Sequence, residues 1–237
     1  MVDSRKYGKA GGEFFPKKQI SWAVRLSLML GLAILHSVCY YLVNYLNGLR
    51  PPAALFSFHI FIDSWIPYLP WTWIFYYLGD VYILLVAALI LWRLKNSRFR
   101  RAVLVYSGMI ISGAFIQLAV PSICPWPHQL SWAQDYFHRF FLTGPHACLP
   151  SMHVALTVLP GCILFSVVKS RWIRGLSTLF VALNTLSTVT MKEHYVLDML
   201  TGIVFGFFFY IVWKWPDIKP SRNGEKQHHA HTARQTV

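Results

Sequence analysis

Apolar residues in this chain come in long, nearly unbroken runs rather than at the short spacings of a soluble fold. The first runs from Ile20 to Leu46, with Trp22 at its edge, and is long enough to cross a hydrocarbon core of ~30 Å. Further runs cover Trp71–Leu94, Ala102–Val120, Ser151–Lys169, Trp172–Met191 and Tyr195–Trp213. The pattern predicts an all-α integral membrane protein with six transmembrane helices. Pro51 to Pro70 is apolar but broken by Pro51, Pro52, Pro67 and Pro70 and carries Asp63, which predicts a non-spanning interfacial helix or hairpin before the second span. Pro121 to Pro150 is too polar to cross, and Trp132–Phe141 within it reads as a short amphipathic helix.

Three parts follow: a basic leader at 1–19, a membrane catalytic domain at 20–215 and a polar tail at 216–237, which holds His228, His229 and His231 and reads as disordered. The leader lacks the apolar core of a cleavable signal. Composition agrees with a membrane chain: of 237 residues, 55% are hydrophobic and only 13% are charged. The net charge of +13 does not point to nucleic acid, because the lysines and arginines lie between apolar runs and not on one basic face.

Their distribution is topological. The leader, the second-to-third loop (Arg93, Lys95, Arg98, Arg100, Arg101), the fourth-to-fifth loop (Lys169, Arg171, Arg174) and the tail fall on one side. Only Arg50, Arg139 and Lys192 fall on the other. The positive-inside rule then puts both termini in the cytoplasm, and the 121–150 loop, His153 and His194 toward the periplasm or lumen. Cys39 and Cys162 lie inside spans as packing residues. Cys124 and Cys148 share the outer loop, where they either close a disulfide worth ~3 kcal/mol or remain as two buried thiols.

Ionisable side chains gather at the starts of the fourth and sixth runs, where charge is expensive. His194 and Asp198 are four apart, so on a helix they share a face and the carboxylate orients the imidazole. His153 follows Pro150, a residue suited to a first helical turn, and free N–H groups at such a terminus hold phosphate well. Two imidazoles and one carboxylate meet the needs of phosphoester cleavage without a metal or cofactor. One ring attacks phosphorus, while the other protonates the leaving alkoxide and then deprotonates the acceptor. Ser151 either binds that phosphate or caps the fourth helix. Asp80, inside the second run, would cost ~2.5–3.5 kcal/mol facing lipid, so it is expected to hydrogen-bond a neighbouring helix or to contact substrate. His36, Asn44 and Gln117 read as interhelical contacts. His128, His138 and His146 read as solvated loop histidines or headgroup ligands.

Pro150-Ser151-Met152-His153 resembles the second motif, and His194-Tyr195-x-x-Asp198 the third, of the type 2 phosphatidic acid phosphatase superfamily. Within it the chain is most similar to the branch of inositol phosphorylceramide and sphingomyelin synthases. Asp63-Ser64-Trp65-Ile66-Pro67-Tyr68-Leu69-Pro70-Trp71 and Val120-Pro121-Ser122-Ile123-Cys124-Pro125-Trp126 resemble segments of that branch, and the likeness covers roughly residues 55–210. It implies a phosphohistidine on His194, Asp198 as its orienting partner, and His153 as general acid and base. It also implies phospholipid and lipid-alcohol substrates.

The departures are informative. The phosphatase branch carries a lysine and an Arg-Pro pair in a first motif, and neither is found on the extracytoplasmic side of the third span. Its arginine six residues before the nucleophile is Thr188 here, and the glycine of its second motif is Met152. Lys192, Arg139, His146 and backbone groups become the candidates to stabilise transition-state charge. These differences favour a lipid phosphotransferase over a phosphatase that uses water. A zinc-dependent membrane hydrolase with His153, His194 and Asp198 as ligands is the alternative of another class. A transporter with Asp80 in a proton relay would need two related halves, and no internal repeat is visible.

Overall fold

A computed structural model describes residues 20–127 and 129–218. Its helices are α1 (Trp22–Gly48), α2 (Trp73–Arg93), α3 (Asn96–Ala119), α4 (Trp132–Phe140), α5 (Met152–Val167), α6 (Arg171–Thr190) and α7 (Val196–Ile218). Among the described residues the only extended pairing is an isolated bridge between Phe56 and Ser122. The leader, His128 and residues 219–237, with the tail histidines, lie outside the described residues.

Four helices are long and apolar enough to cross a membrane: Trp22–Gly48, Pro70–Ile90, Asn96–Ala119 and Val196–Asp217. They turn bulky apolar side chains outward, such as Leu30, Leu84, Phe115 and Val204, as helices bathed in lipid do. The other two predicted spans differ. α5 is apolar but only 16 residues long. α6 has 20 residues but is diluted by Arg171, Arg174, Asn184 and several hydroxyls.

The short α5 is the centre of the bundle, packed against α7, α2 and α6, while α3 joins α1 to α7. Ala155, Leu159 and Ile163 are completely buried. The tightest approach is between α5 and α7, where Gly202 and Gly206 stand one turn apart. A Cβ at 202 would lie 2.6 Å from the Ser151 carbonyl oxygen, and one at 206 would lie 2.9 Å from that of Ala155. Small residues at this spacing let two backbones meet where lipid supplies no hydrophobic drive between helices.

Several boundaries move. α3 starts at Asn96 rather than Ala102, so Arg98 and Arg101 belong to its first turns and pair with Asp217 at 3.1 and 3.3 Å. α7 continues past Trp213 and through Pro216 to Ile218, so the polar tail does not begin at 216. The predicted interfacial helix before the second span is instead three single 3₁₀ turns, Pro52–Ala54, Phe61–Ser64 and Pro70–Thr72. Its prolines remove the donors that a longer helix needs. The predicted helix of the 121–150 loop forms as α4. Cys124 and Cys148 are disulfide-bonded across that loop.

Gly202→Ala is expected to lower stability by about 1–3 kcal/mol through overpacking, read as a lower melting temperature in detergent. Gly31→Ala, with nothing within 4 Å of the added carbon, is expected to leave melting unchanged.

Candidate active site

The α5–α7 contact sets one wall of the site. Ser151 is the N-cap of α5, its hydroxyl accepting from Val154 N, and its own N–H donates to the Asp198 carbonyl at 3.1 Å. Pro150 therefore precedes the cap and is not part of the first turn. Asp198 is completely buried in the first turn of α7, where Oδ2 accepts from the Tyr195 N–H at 2.9 Å. This is one half of a capping box. His194 lies before the helix, so the two residues do not share a helical face as the spacing suggested. The incoming chain instead folds the ring back toward the carboxylate, held by Glu193 and His194 N–H groups donating to the Thr188 carbonyl. Thr188, at the position of the phosphatase arginine, thus acts through its backbone and is itself fully buried.

His194 Nδ1 lies 3.7 Å from Asp198 Oδ2, too far for a hydrogen bond. Both Nδ1 and the other carboxylate oxygen, Oδ1, are buried without a hydrogen-bond partner. Buried polar atoms left so are costly, and a small rotation of the ring satisfies the nitrogen. The pair is adjacent but not locked.

His153 comes from α5 and is held from the opposite side. Its ring stacks on Tyr76 of α2, centroids 4.1 Å apart and planes within 6°. Nε2 meets Asn184 Nδ2 of α6 at 3.1 Å. Asn184 is fully buried; its amide also donates to the Phe75 and Tyr76 carbonyls and accepts from the Thr157 hydroxyl. One amide thus ties α2, α5 and α6 together behind the ring. Gly79 makes room for it, since a Cβ there would collide with Asn184 and come within 3.0 Å of His153 Nε2.

His153 and His194 line one cavity of about 290 Å³, together with His36, His138, Asp80 and Glu193. Four imidazoles and two carboxylates face this space, and no lysine or arginine is among its described lining residues. Of the other predicted site residues, Asp80 and the disulfide-bonded Cys124 reach it. Asp80 makes no hydrogen bond among the described residues, so the helix-to-helix bond expected of it is replaced by a place on the cavity wall.

The remaining candidates serve elsewhere. Ser151 is spent on capping. Lys192, in a left-handed conformation with φ 59°, donates to the Asp63 and Ile66 carbonyls at 3.0 and 2.7 Å and pins the segment before α2. Burial lowers its pKa, and nearby Asp63 opposes that shift. Arg139 points outward, 79% exposed, in an i,i+4 ion pair with Asp135. His146 is half-buried, its pKa lowered by burial, and its backbone is held by Asn44 and Asn47. Gln117 and Asn44, expected to bond neighbouring helices, instead tether the 121–150 loop, and His36 lines the cavity. Among the described residues no three or more His, Cys, Asp or Glu side chains are grouped to hold a metal ion.

Sequence reasoning overlooked Glu193 and Asn184 and read His138 as either a solvated residue or a headgroup ligand. His138 is 8% exposed and Glu193 6%. His138 Nε2 and Gln134 Nε2 both meet Glu193 Oε1 at 2.8 Å. The signal was present: Gln134 and His138 lie at i,i+4 on α4, opposite exposed Trp132, Tyr136 and Phe140. Asn184 was the lone amide in the fifth apolar run.

Asn184→Leu is expected to cost about 1–3 kcal/mol by stripping partners from a buried network. Melting of the purified variant tests this, and an unchanged midpoint would show that the amide does not join the three helices.

The comparisons follow the same residues. The sequence pattern of the PAP2 superfamily matches residues 56–212, which include His153, His194 and Asp198. No curated protein matches the sequence. Among solved structures, the chain is similar to the first transmembrane PAP2 type phosphatidylglycerolphosphate phosphatase from Bacillus subtilis, with TM-score 0.45 and 15% identity over 84% of this chain and 98% of that one. With spanning helices, a cavity lined by both motif histidines and a match over most of its length, the chain is an integral membrane protein that belongs to the PAP2 superfamily.

Proposed function

We propose that the protein is a lipid phosphotransferase that moves a phospho-headgroup from a phospholipid to a lipid alcohol through a phosphohistidine. The observation that carries this reading is the shared cavity: two imidazoles from separate elements open onto it, one with a carboxylate 3.7 Å behind its ring. In this scheme His194 Nε2 attacks phosphorus in line and the bond from phosphorus to the diacylglycerol oxygen breaks. Asp198 steadies the positive ring that results. His153, stacked on Tyr76, acts as an imidazolium and gives a proton to the departing alkoxide. It then takes the proton of the incoming alcohol, whose oxygen displaces His194 from phosphorus.

The charge of the cavity favours a diester over a monoester. A phosphomonoester brings nearly two negative charges at neutral pH, and phosphoryl transfer depends on fixed positive groups around them. Imidazoles beside Asp80 and Glu193 suit a singly charged phosphodiester better. Hence transfer from a phospholipid diester is favoured over hydrolysis of a lipid phosphate, the second reading.

We place the site on the non-cytoplasmic side of six spans, with both termini in the cytoplasm. The run of basic loops supports this, as does the Cys124–Cys148 disulfide, which suits an oxidising compartment.

Purified protein given phospholipid labelled in its headgroup phosphate is expected to transfer label to an added ceramide or diacylglycerol. Release of inorganic phosphate from a lipid phosphate, with no transfer, would favour the phosphatase. His194→Ala is expected to abolish label transfer, and Asp198→Asn to reduce it by about 10²–10⁴-fold. Full activity of either variant would remove the mechanism.

A further inference from the structure

The cavity has an imidazole that the scheme above does not use. His138 is more than nine-tenths buried, lines the cavity, and stacks on Trp126 with centroids 4.2 Å apart. Its Nε2 lies 2.8 Å from Glu193 Oε1, while its Nδ1 is buried without a hydrogen-bond partner. A carboxylate only accepts, so Nε2 is the donor in that contact. Glu193 is held in turn by Gln134, whose own oxygen accepts from Tyr68. Tyr68 also accepts from the Ser131 N–H, at the cap of the same helix. The ring is therefore fixed from behind and from one face. An orphan nitrogen in so ordered a network points to a missing partner.

We propose that His138 binds the substrate phosphate: with Nε2–H bound to Glu193 and a second proton on Nδ1, the ring donates from Nδ1 to a non-bridging phosphate oxygen. This rests on the reading of the cavity as a phosphodiester site and assigns it the anion contact that lysine or arginine supplies elsewhere. Lys192 and Arg139 are directed away from the cavity, which leaves the contact to an imidazole. The Glu193–His138 pair is net neutral once the ring is doubly protonated. What it offers is a directed, charge-assisted N–H rather than a free cation, in keeping with a substrate of single charge. Trp126 and Glu193 make His138 a substrate-binding residue with a preset orientation, separate from the bond-making His194.

The test uses binding, so that it stands apart from turnover. The probe is dihexyl phosphate, a diester monoanion, titrated calorimetrically into the full chain in detergent, with uncharged trihexyl phosphate as control. His138→Gln keeps an amide near Nε2 for Glu193 but has nothing at Nδ1. His138→Asn does the reverse. His138→Gln is expected to weaken dihexyl phosphate binding at least tenfold, with unchanged melting and unchanged binding of the triester. Wild-type diester affinity in His138→Gln, with the damage confined to a lower melting point in His138→Asn, would make His138 only a dock for α4 and overturn the proposal.

Glu193→Gln supplies a second measurement if a His138 variant does not fold. It is expected to weaken the diester, and tighter binding would show Glu193 merely repelling the anion and sink the idea. His194→Ala is expected to keep diester affinity while losing label transfer. Retained transfer in that variant would defeat the phosphohistidine scheme and leave the His138 result standing.

Discussion

Without side chains at 202 and 206, α7 reaches the backbone of α5 so closely that oxygens of Ser151 and Ala155 occupy the space a Cβ would take. The site depends on that approach. The Ser151 N–H donates to the Asp198 carbonyl, so the start of the helix bearing His153 is bonded directly to the first turn behind His194. Two segments some forty residues apart meet through backbone atoms, which no rotamer change can loosen. Dispersion and small-residue packing have to sustain this contact, because lipid tails compete with every apolar side chain.

Around that contact, polar groups inside the bundle are grouped rather than scattered. Asn184 donates to two carbonyls, accepts from a hydroxyl and abuts the His153 ring from a single buried position. Glu193 holds Gln134 and His138 at one oxygen. Each cluster joins segments distant in sequence, and each ends at an imidazole on the cavity wall. Of the six unpaired buried side-chain atoms among the described residues, His194 Nδ1, Asp198 Oδ1, His138 Nδ1, Tyr77 OH and Thr143 Oγ1 belong to residues at or directly behind that wall, and Asn47 Oδ1 does not. Elsewhere buried polar atoms are mostly paired, as folding in a low dielectric requires.

Much of the fold was legible in the chain. Apolar run lengths found α1, α2, α5 and α6 to within two residues and α3 and α7 to within six, and amphipathicity found α4. The two motif histidines were also legible, because a charge-bearing side chain at the start of an apolar run stands out. Rotational phase was not. Hydropathy reports that a segment is apolar, but not which way His138 and Arg139, neighbours on one short helix, will face. Arg139 drew attention for its charge and points to solvent. His138, read as either solvated or a headgroup ligand, lies inside. Lys192 misled for a related reason: its ammonium satisfies carbonyls of the proline-broken segment, a demand visible only once that segment is seen folded over the turn. Asp198 was placed correctly beside His194, although through a helix cap and not a shared helical face.

α4 is nine residues long, so its two faces are a single rigid object. Gln134 and His138 point inward, while Trp132, Tyr136 and Phe140 are bare on the other side, the amphipathic habit of a helix resting among headgroups. A change of tilt in so short a rod moves the exposed rings and the buried imidazole together, so whatever α4 rests on is mechanically linked to the cavity wall on its far side.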